Sequence, residues 1–408
     1  MPTKQAPDAA ATAAPAEGAG LSRRTFLRRA GAAAGAVVVV GAGGVSYRAY
    51  DNGVFSTGDG PAYDAWREWD RGDGPAALVA AAVLAPNPHN SQAWAFHVQD
   101  DQIDLFADHD RSTGALDPFG RELQVGLGAA LENLLLAAPA HGYRAVTRLR
   151  PTPGEPVHAA RVELSGGARR RSALYEAIPH RHTDRSPYDS GPVPARSLAA
   201  MSALADDLPH ARVHWLADPT QLRRTGTLMV AAAEAVTRDR QQSVDGFRLF
   251  RSDWDAIQRH KDGLTLDTQG LSELTTVAAK LLPSYSRANG DSFWVDQTRD
   301  VHTKTAAAYG IVTVPDARDD AQRLTGGRLL QRIHLWTAAN GLSLQHMNQI
   351  TERADRERQL GLSRRFGDAI QALVPAGSQP LVAFRIGHPR SDDGRRLSPR
   401  RPAREVIA

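Results

Sequence analysis

Two arginines and a hydroxyl fall within five residues at Arg181-His182-Thr183-Asp184-Arg185. A guanidinium presents a planar fork of N–H donors that matches phosphate oxygens, so this spacing suits a grip on a phosphate from several sides. A second stretch reads Ala85-Pro86-Asn87-Pro88-His89-Asn90-Ser91-Gln92-Ala93-Trp94. It sets the amides of Asn90 and Gln92 two residues apart, with Trp94 next on the same side of an extended segment. Side-chain amides both give and take hydrogen bonds, which suits a ligand edge of mixed donors and acceptors. Each stretch also has a plainer reading: a solvated Arg/His/Asp loop for the first, and a loop anchored by a core tryptophan for the second.

The neighbouring sequence supplies elements to hold them. Pro75 to Leu84 reads as a short buried helix with proline at its start. Residues 95–107 read as a hairpin across Asp100-Asp101. Glu122 to Gly142 carries Leu123, Leu127, Leu131, Leu134 and Leu135 at helical spacing, with a glycine just past the end. Gly126, Gly128, Ala129 and Ala130 leave room on it for a close helix neighbour. Strands follow at about 144–150 and 158–164, then a Gly/Arg junction at Gly166–Arg171, then a helix from Leu174 to Ile178 running into the arginine stretch.

Later pieces echo the first ones. Gly327 to Gly341 repeats the pattern of the long helix, and Pro380 to Gly387 reads as a strand. The echo points to an internal duplication. Residues 241–295 have no counterpart in the first half. They carry Phe247, Phe250, Trp254, Tyr285, Phe293 and Trp294, which suits either a lid over a pocket or a helical excursion packing aromatics on the core.

Bulk properties narrow the function classes. The chain has 408 residues and a formal charge of +4. Residues 1–50 hold six basic and two acidic residues, so the folded body is neutral and a nucleic-acid partner is not expected. There is no cysteine, which removes disulfides, thiolate catalysis and Cys-ligated metals. The histidines show no His-Glu-x-x-His spacing and no metal is expected. No Gly-x-Ser-x-Gly elbow appears, and the glycine run Gly41–Gly44 is no dinucleotide fingerprint but part of a leader. In that leader Ser22-Arg23-Arg24-Thr25-Phe26-Leu27-Arg28 precedes an apolar run from Ala30 to about Val45. Paired arginines before a weakly apolar run match a twin-arginine export signal. Cleavage and retention as a membrane anchor are both open.

The arginine stretch and the amide loop together resemble the two motifs of the nitroreductase family of FMN enzymes, in reversed order. Arg185-Ser186-Pro187-Tyr188 followed by Pro192-Val193-Pro194 adds to the resemblance, as does Arg400-Arg401-Pro402 near the end. In that family each flavin is held between two subunits. The reversed order therefore resembles the fused, two-half Acg-like branch, whose single chain mimics the dimer. The resemblance implies an α+β, nitroreductase-like fold with mixed sheets packed by helices. It implies a leader over 1–52, a first half over 53–168 and a second over 169–408 with its insertion at about 241–295. It also implies FMN held by Pro86, Asn87, Pro88, Asn90 and Gln92 from one half and by Arg181, His182, Thr183, Arg185 and Arg400 from the other. Gln345, Met347 and Asn348 match the place where the family sets backbone groups near the flavin. This sequence departs from the family at Asn87 and Pro88, where small serines are usual, and at Ala93, where proline is. The implied activity passes electrons from a reduced small-molecule donor through FMN to a quinone or nitro acceptor. An FMN-sequestering protein without turnover is the alternative, and an envelope protein with a decayed site is a third. The implied location is extracytoplasmic, reached through the twin-arginine machinery, for a monomer that stands in for a dimer.

Overall fold

A computed structural model describes Ala49 and residues 51–282, 286–390 and 396–408. The twin-arginine segment, its apolar run and Tyr285 lie outside the described residues. Helix α1 (Pro75–Ala82) leads into strands β1 (Trp94–Val98) and β2 (Gln102–Ala107). The long helix α2 (Arg121–Ala140) is followed by β3 (Tyr143–Leu149) and β4 (His158–Gly166). These four strands form one antiparallel sheet in the order β1-β2-β4-β3. The expected hairpin, the long helix and both strands are present with ends shifted by a residue or two. The helix expected over Leu174–Ile178 is only Ala173–Glu176, because Pro179 and the cap at Ser172 reduce it to one turn and a 3-10 turn.

The second sheet has the order β10-β11-β9-β6, with β5 (Tyr188–Asp189) paired to one end of β11. Its strands are β6 (Arg212–Leu216), β9 (Ala308–Val314), β10 (Ser343–His346) and β11 (Gln379–Pro389). All its pairs are antiparallel. Parallel pairing enters only through the two-residue strands β7 (Phe250–Arg251) and β8 (Leu264–Thr265) and the bridge between Phe96 and Ile407, so the mixed character of the sheets is slight. Helices α3 (Pro219–Arg238), α4 (Arg240–Arg248), α5 (Trp254–His260), α6 (Glu273–Leu281) and α7 (Arg287–Gln297) precede β9. Helix α8 (Asp320–Ala339) precedes β10, and α9 (Gln349–Leu360) follows it.

The seam between the halves is the crossing of α2 and α8, each 20 residues long. A β-carbon on Gly128 would lie 2.1 Å from the Leu324 carbonyl oxygen and 3.0 Å from the Gly327 Cα. One on Gly327 would lie 2.1 Å from the Val125 oxygen and 3.0 Å from the Gly128 Cα. The two contact sets are reciprocal, which is how an isologous two-fold interface looks when both copies sit in one chain. Backbone this close admits no methyl group. Gly128→Ala is therefore expected to cost about 3 kcal/mol, the upper end for overpacking, read as a fall in the urea midpoint. An unchanged midpoint would show that the helices can separate without loss. Beside the crossing, Glu132 binds Arg328 and Arg332 at 2.7 and 2.6 Å, and Gln331 donates to Asn133 at 2.6 Å.

The last residues return to the first half. Phe96 N–H donates to the Val406 oxygen and Ala408 N–H to the Phe96 oxygen, both at 2.8 Å. The tail thus extends the edge of β1, and on its way it carries residues 396–401 past the amide loop.

Candidate functional site

A cavity of about 280 Å³ opens where the α1–β1 loop, the arginine stretch, β10, the tail and the 241–295 insertion meet. Pro86, Asn87, Pro88 and Asn90 line it from the loop; Arg181, Thr183 and Arg185 from the arginine stretch; Gln345, Met347 and Asn348 from β10 and its end; and Arg400 from the tail. Gln92 and His182 do not line it.

The loop is strained and held by its own side chains. His89, Asn90 and Gln92 have φ of 49°, 54° and 54°. The left-handed region costs a residue with a β-carbon about 1–2 kcal/mol, so other bonds must fix it. Asn87 Oδ1 accepts the Gln92 N–H at 2.7 Å. Asn90 Nδ2 donates to the oxygens of Gly263 at 3.1 Å and Pro399 at 2.8 Å, while its Oδ1 accepts from Arg400. Gln92 donates to the Lys261 oxygen and accepts the Arg401 N–H, both at 2.8 Å. The amides expected to face a ligand edge are therefore spent on the protein. Gln92 staples the tail to the insertion, and Asn90 aims Arg400. Two further expected groups have partners within the fold. His182 offers its carbonyl to His334 Nε2 at 2.9 Å, a contact within the fold. The Met347 N–H is taken by the Ala383 oxygen at 2.8 Å, and the Gln345 side-chain oxygen accepts from Arg385 Nε at 2.6 Å, while both residues line the cavity.

The charges are unusual. Arg181 is 2% exposed, and its one hydrogen bond among the described residues goes to the Leu84 oxygen at 3.2 Å. Arg400 is 2% exposed and bonds to Asn90 and to the oxygens of Pro399 and Ala85. Among the described residues no carboxylate pairs with either, and the Nε–H of each is buried without a partner. The Trp66 ring lies beneath both guanidinium groups, at 6.0 and 5.4 Å. Burial lowers Arg181 to about 9 and Arg185 to about 10, and burial followed by the Arg181 charge holds Arg400 well below its usual value. Arginine keeps its proton in proteins, so these shifts express an unmet demand for an anion. The same cations act on the histidines around them. Burial, then Arg185, lowers His89 to about 4. Burial, then Arg181 and Arg185, lowers His346 to about 3. Burial is also the first cause holding His302 and His334 well below their usual value.

The insertion supplies the opposite wall. Phe247, Phe250, Phe293 and Trp294 line the cavity, and the Phe247 and Phe250 rings lie 10° from parallel at 6.2 Å. Of the two readings the sequence left open, these four follow the pocket one. Trp254 instead packs on Gly53 at the first core. Sequence reasoning missed Trp66, which sat in an unassigned lead-in. It also missed the carboxyl pair Glu122 and Glu352, which reach the cavity from α2 and α9. Nothing in their spacing marks either acid, because they come from helices 230 residues apart in the chain.

Three groups of observations thus describe the site: buried cations aimed at an anion, a flat aromatic wall, and an acidic corner. No family profile matches the chain. It is 27% identical over 347 residues to a Mycobacterium tuberculosis H37Rv protein named NAD(P)H nitroreductase acg, covering 81% of this chain and 94% of that relative. A second protein of that organism named NAD(P)H nitroreductase is 34% identical over 149 residues, which is 33% of this chain and 43% of the relative. Among solved structures, the FMN-dependent nitroreductase NfnB of Mycobacterium smegmatis in complex with NADPH aligns over 58% of this chain and 97% of its own, at 15% identity and a TM-score of 0.38.

Proposed function

We propose that the chain is a nitroreductase-like protein of the Acg-like branch, similar to relatives 27% identical over 81% of its length, and that it is an FMN-dependent oxidoreductase acting on small electron-poor acceptors. The observation that carries the reading is the convergence of Arg181 and Arg400, buried and, among the described residues, without carboxylates, on a cavity lined by both halves. A phosphate monoester dianion meets that demand, and the orphaned Nε–H groups are the donors it would use. Arg185 and Thr183 add a cation and a hydroxyl from the same stretch. Phe247, Phe250, Phe293 and Trp294 offer a planar ring the flat apolar contact it needs. Bound FMN would supply two-electron chemistry. The protein's own part is to fix the phosphate, hold the planar ring between the loop and the aromatic wall, and keep water out. A donor and an acceptor would enter in turn, because about 280 Å³ lies near the lower end of ligand cavities.

The donor would be a reduced nicotinamide or a quinol, and the acceptor a quinone or nitro compound. The leader motif Ser22–Arg28 supports export of the folded flavoprotein by the twin-arginine route to the outer face of the cytoplasmic membrane. The test is direct. Purified protein mixed with FMN should retain the flavin absorbance through gel filtration, and FMN at 100 times its Kd should stabilise the fold by about 2.7 kcal/mol. A colourless protein whose melting temperature ignores FMN rules the reading out. A second reading, FMN sequestration without turnover, is favoured by the close aromatic wall. Stopped-flow mixing with reduced nicotinamide and with a quinol separates the two: the flavin bands bleach in an enzyme and persist in a sequestering protein.

A further inference from the structure

We propose that Glu352 is a proton-donating catalytic acid of this cavity, sharing one proton with Glu122 across the boundary between the halves. The inference rests on the flavin reading above and adds to it the source of the second proton.

The acidic corner cannot be fully ionised. Asp117, Glu122, Glu352 and Asp355 surround one deeply buried cation, Arg121. Arg121 Nε donates to Asp355 at 2.7 Å, its Nη1 to the Leu381 oxygen at 2.5 Å and its Nη2 to Glu122 at 3.3 Å. Burial raises Asp117 as well, and against it stand Arg121 and the N–H groups of Glu122 at 3.1 Å and Leu123 at 2.8 Å, donated at the N-terminus of α2, which favour its charged form. Asp355 is further held by Arg358 at 3.4 Å. These bonds assign the available positive charge to Asp117 and Asp355, and Glu122 and Glu352 are left to share what remains. Like charges at close range in a low-dielectric site do not both ionise.

Glu352 is the member that faces the ligand space. It lines the cavity and is 7% exposed, and among the described residues its carboxyl makes no hydrogen bond or ion pair. Its neighbours on other elements are accounted for. Gln242 of α4 donates to its backbone oxygen, and Arg353 is taken by Asp239 and Gln242. Burial is the first cause that raises Glu352, to about 7, with Asp117 and Asp355 adding to it against Arg121. Burial, then Glu352, raises Glu122 well above its usual value. A neutral acid buried without a partner at a cavity wall is a donor waiting for an acceptor oxygen.

The step balances for a quinone. Two electrons and one proton arrive as a hydride equivalent from the reduced donor, giving the quinol monoanion. The Glu352 O–H bond breaks, the proton forms the second quinol O–H, and the pair is left as two carboxylates until a proton from solvent water restores the one they share.

Glu352→Gln and Glu352→Asp test this beside the unmutated protein. In flavin-free wild-type protein, infrared titration should show protonated-carboxyl absorption that includes a component lost near pH 7, and Glu352→Gln should lack that component. FMN affinity should stay within twofold in Glu352→Gln. Quinone reduction should slow on the order of 100-fold and lose its dependence on pH near 7, and Glu352→Asp should restore part of the rate. Absorption that titrates only in the ordinary carboxylate range, or a difference spectrum of wild type minus Glu352→Gln with no component near pH 7, overturns the proposal without reference to any variant's activity. So does a Glu352→Gln protein that binds FMN and reduces quinone at the wild-type rate. Wild-type protein that takes up no FMN overturns the flavin reading and this one together.

Discussion

Arg181→Met is expected to weaken FMN binding by about 100- to 1,000-fold, about 3–4 kcal/mol, and at the same time to make the flavin-free protein more stable. The two signs come from one fact. Arg181 is buried with a single carbonyl at 3.2 Å and no carboxylate, so its charge lacks compensation until an anion arrives. Methionine keeps most of the stem's packing and removes the charge, and such replacements gain about 1–4 kcal/mol when the burial was poorly compensated. Arg400→Met should show the same loss of binding. Its gain in stability should be smaller, because Arg400 also bonds Asn90 and two carbonyls that would lose their donor. Arg390→Ala serves as the control, since that side chain is 58% exposed and salt-bridged to Asp189 on the surface. Isothermal titration and thermal melts on the three variants decide the matter. If Arg181→Met destabilised the flavin-free protein and left binding unchanged, Arg181 would be a packing residue.

The flavin-free protein should be most stable near pH 6.5 and lose stability on both sides. Burial depresses His141 and His214 and, more strongly, His89, His302, His334 and His346, so the unfolded chain binds up to six more protons once the pH drops below about 6.5. Their contribution is complete above that pH and is lost as the pH falls towards the folded values, about 4 for His89 and about 3 for His346. Glu122 and Glu352 act in the opposite sense. Their folded values are raised, so their contribution is present at low pH and is lost as the pH climbs from the ordinary glutamate range through about 7. Between about pH 4.5 and 6 the six histidines outnumber the raised carboxyls, which are four once Asp117 and Asp291 are added, by two. Stability should therefore fall by about 3 kcal/mol per pH unit on acidification. Above pH 6.5 only the carboxyls act, and the slope reverses. Urea midpoints from pH 4.5 to 8.5 measure the curve. Glu352→Gln should flatten its alkaline side, and a midpoint still rising steadily to pH 8.5 would contradict the assignment of the acid pair.

Much of the site could be read before any fold was known. The arginine stretch and the loop Pro86–Asn90 announced themselves by composition, because a phosphate grip needs several donors close together in sequence when one loop supplies them. The long helices α2 and α8 were legible for a similar reason: leucine spacing and the small residues around Gly128 record a close crossing directly. What misled was the chemistry of Asn90 and Gln92. Side-chain amides look alike whether they meet a ligand or a backbone, and only the tail's arrival at Pro399 and Arg401 showed that these two are spent on the chain.

Local spacing by itself thus determined the helix-forming seam, the arginine stretch that lines the cavity and the absence of thiol chemistry, since each is written within a few turns of chain. Which groups are charged, which are left unpaired and which reach the cavity was decided only by the tertiary structure. Glu122 and Glu352, or Trp66 and Arg400, are separated by hundreds of residues, and burial shifts a proton equilibrium according to what stands within a few ångströms. No one-dimensional pattern holds that distance.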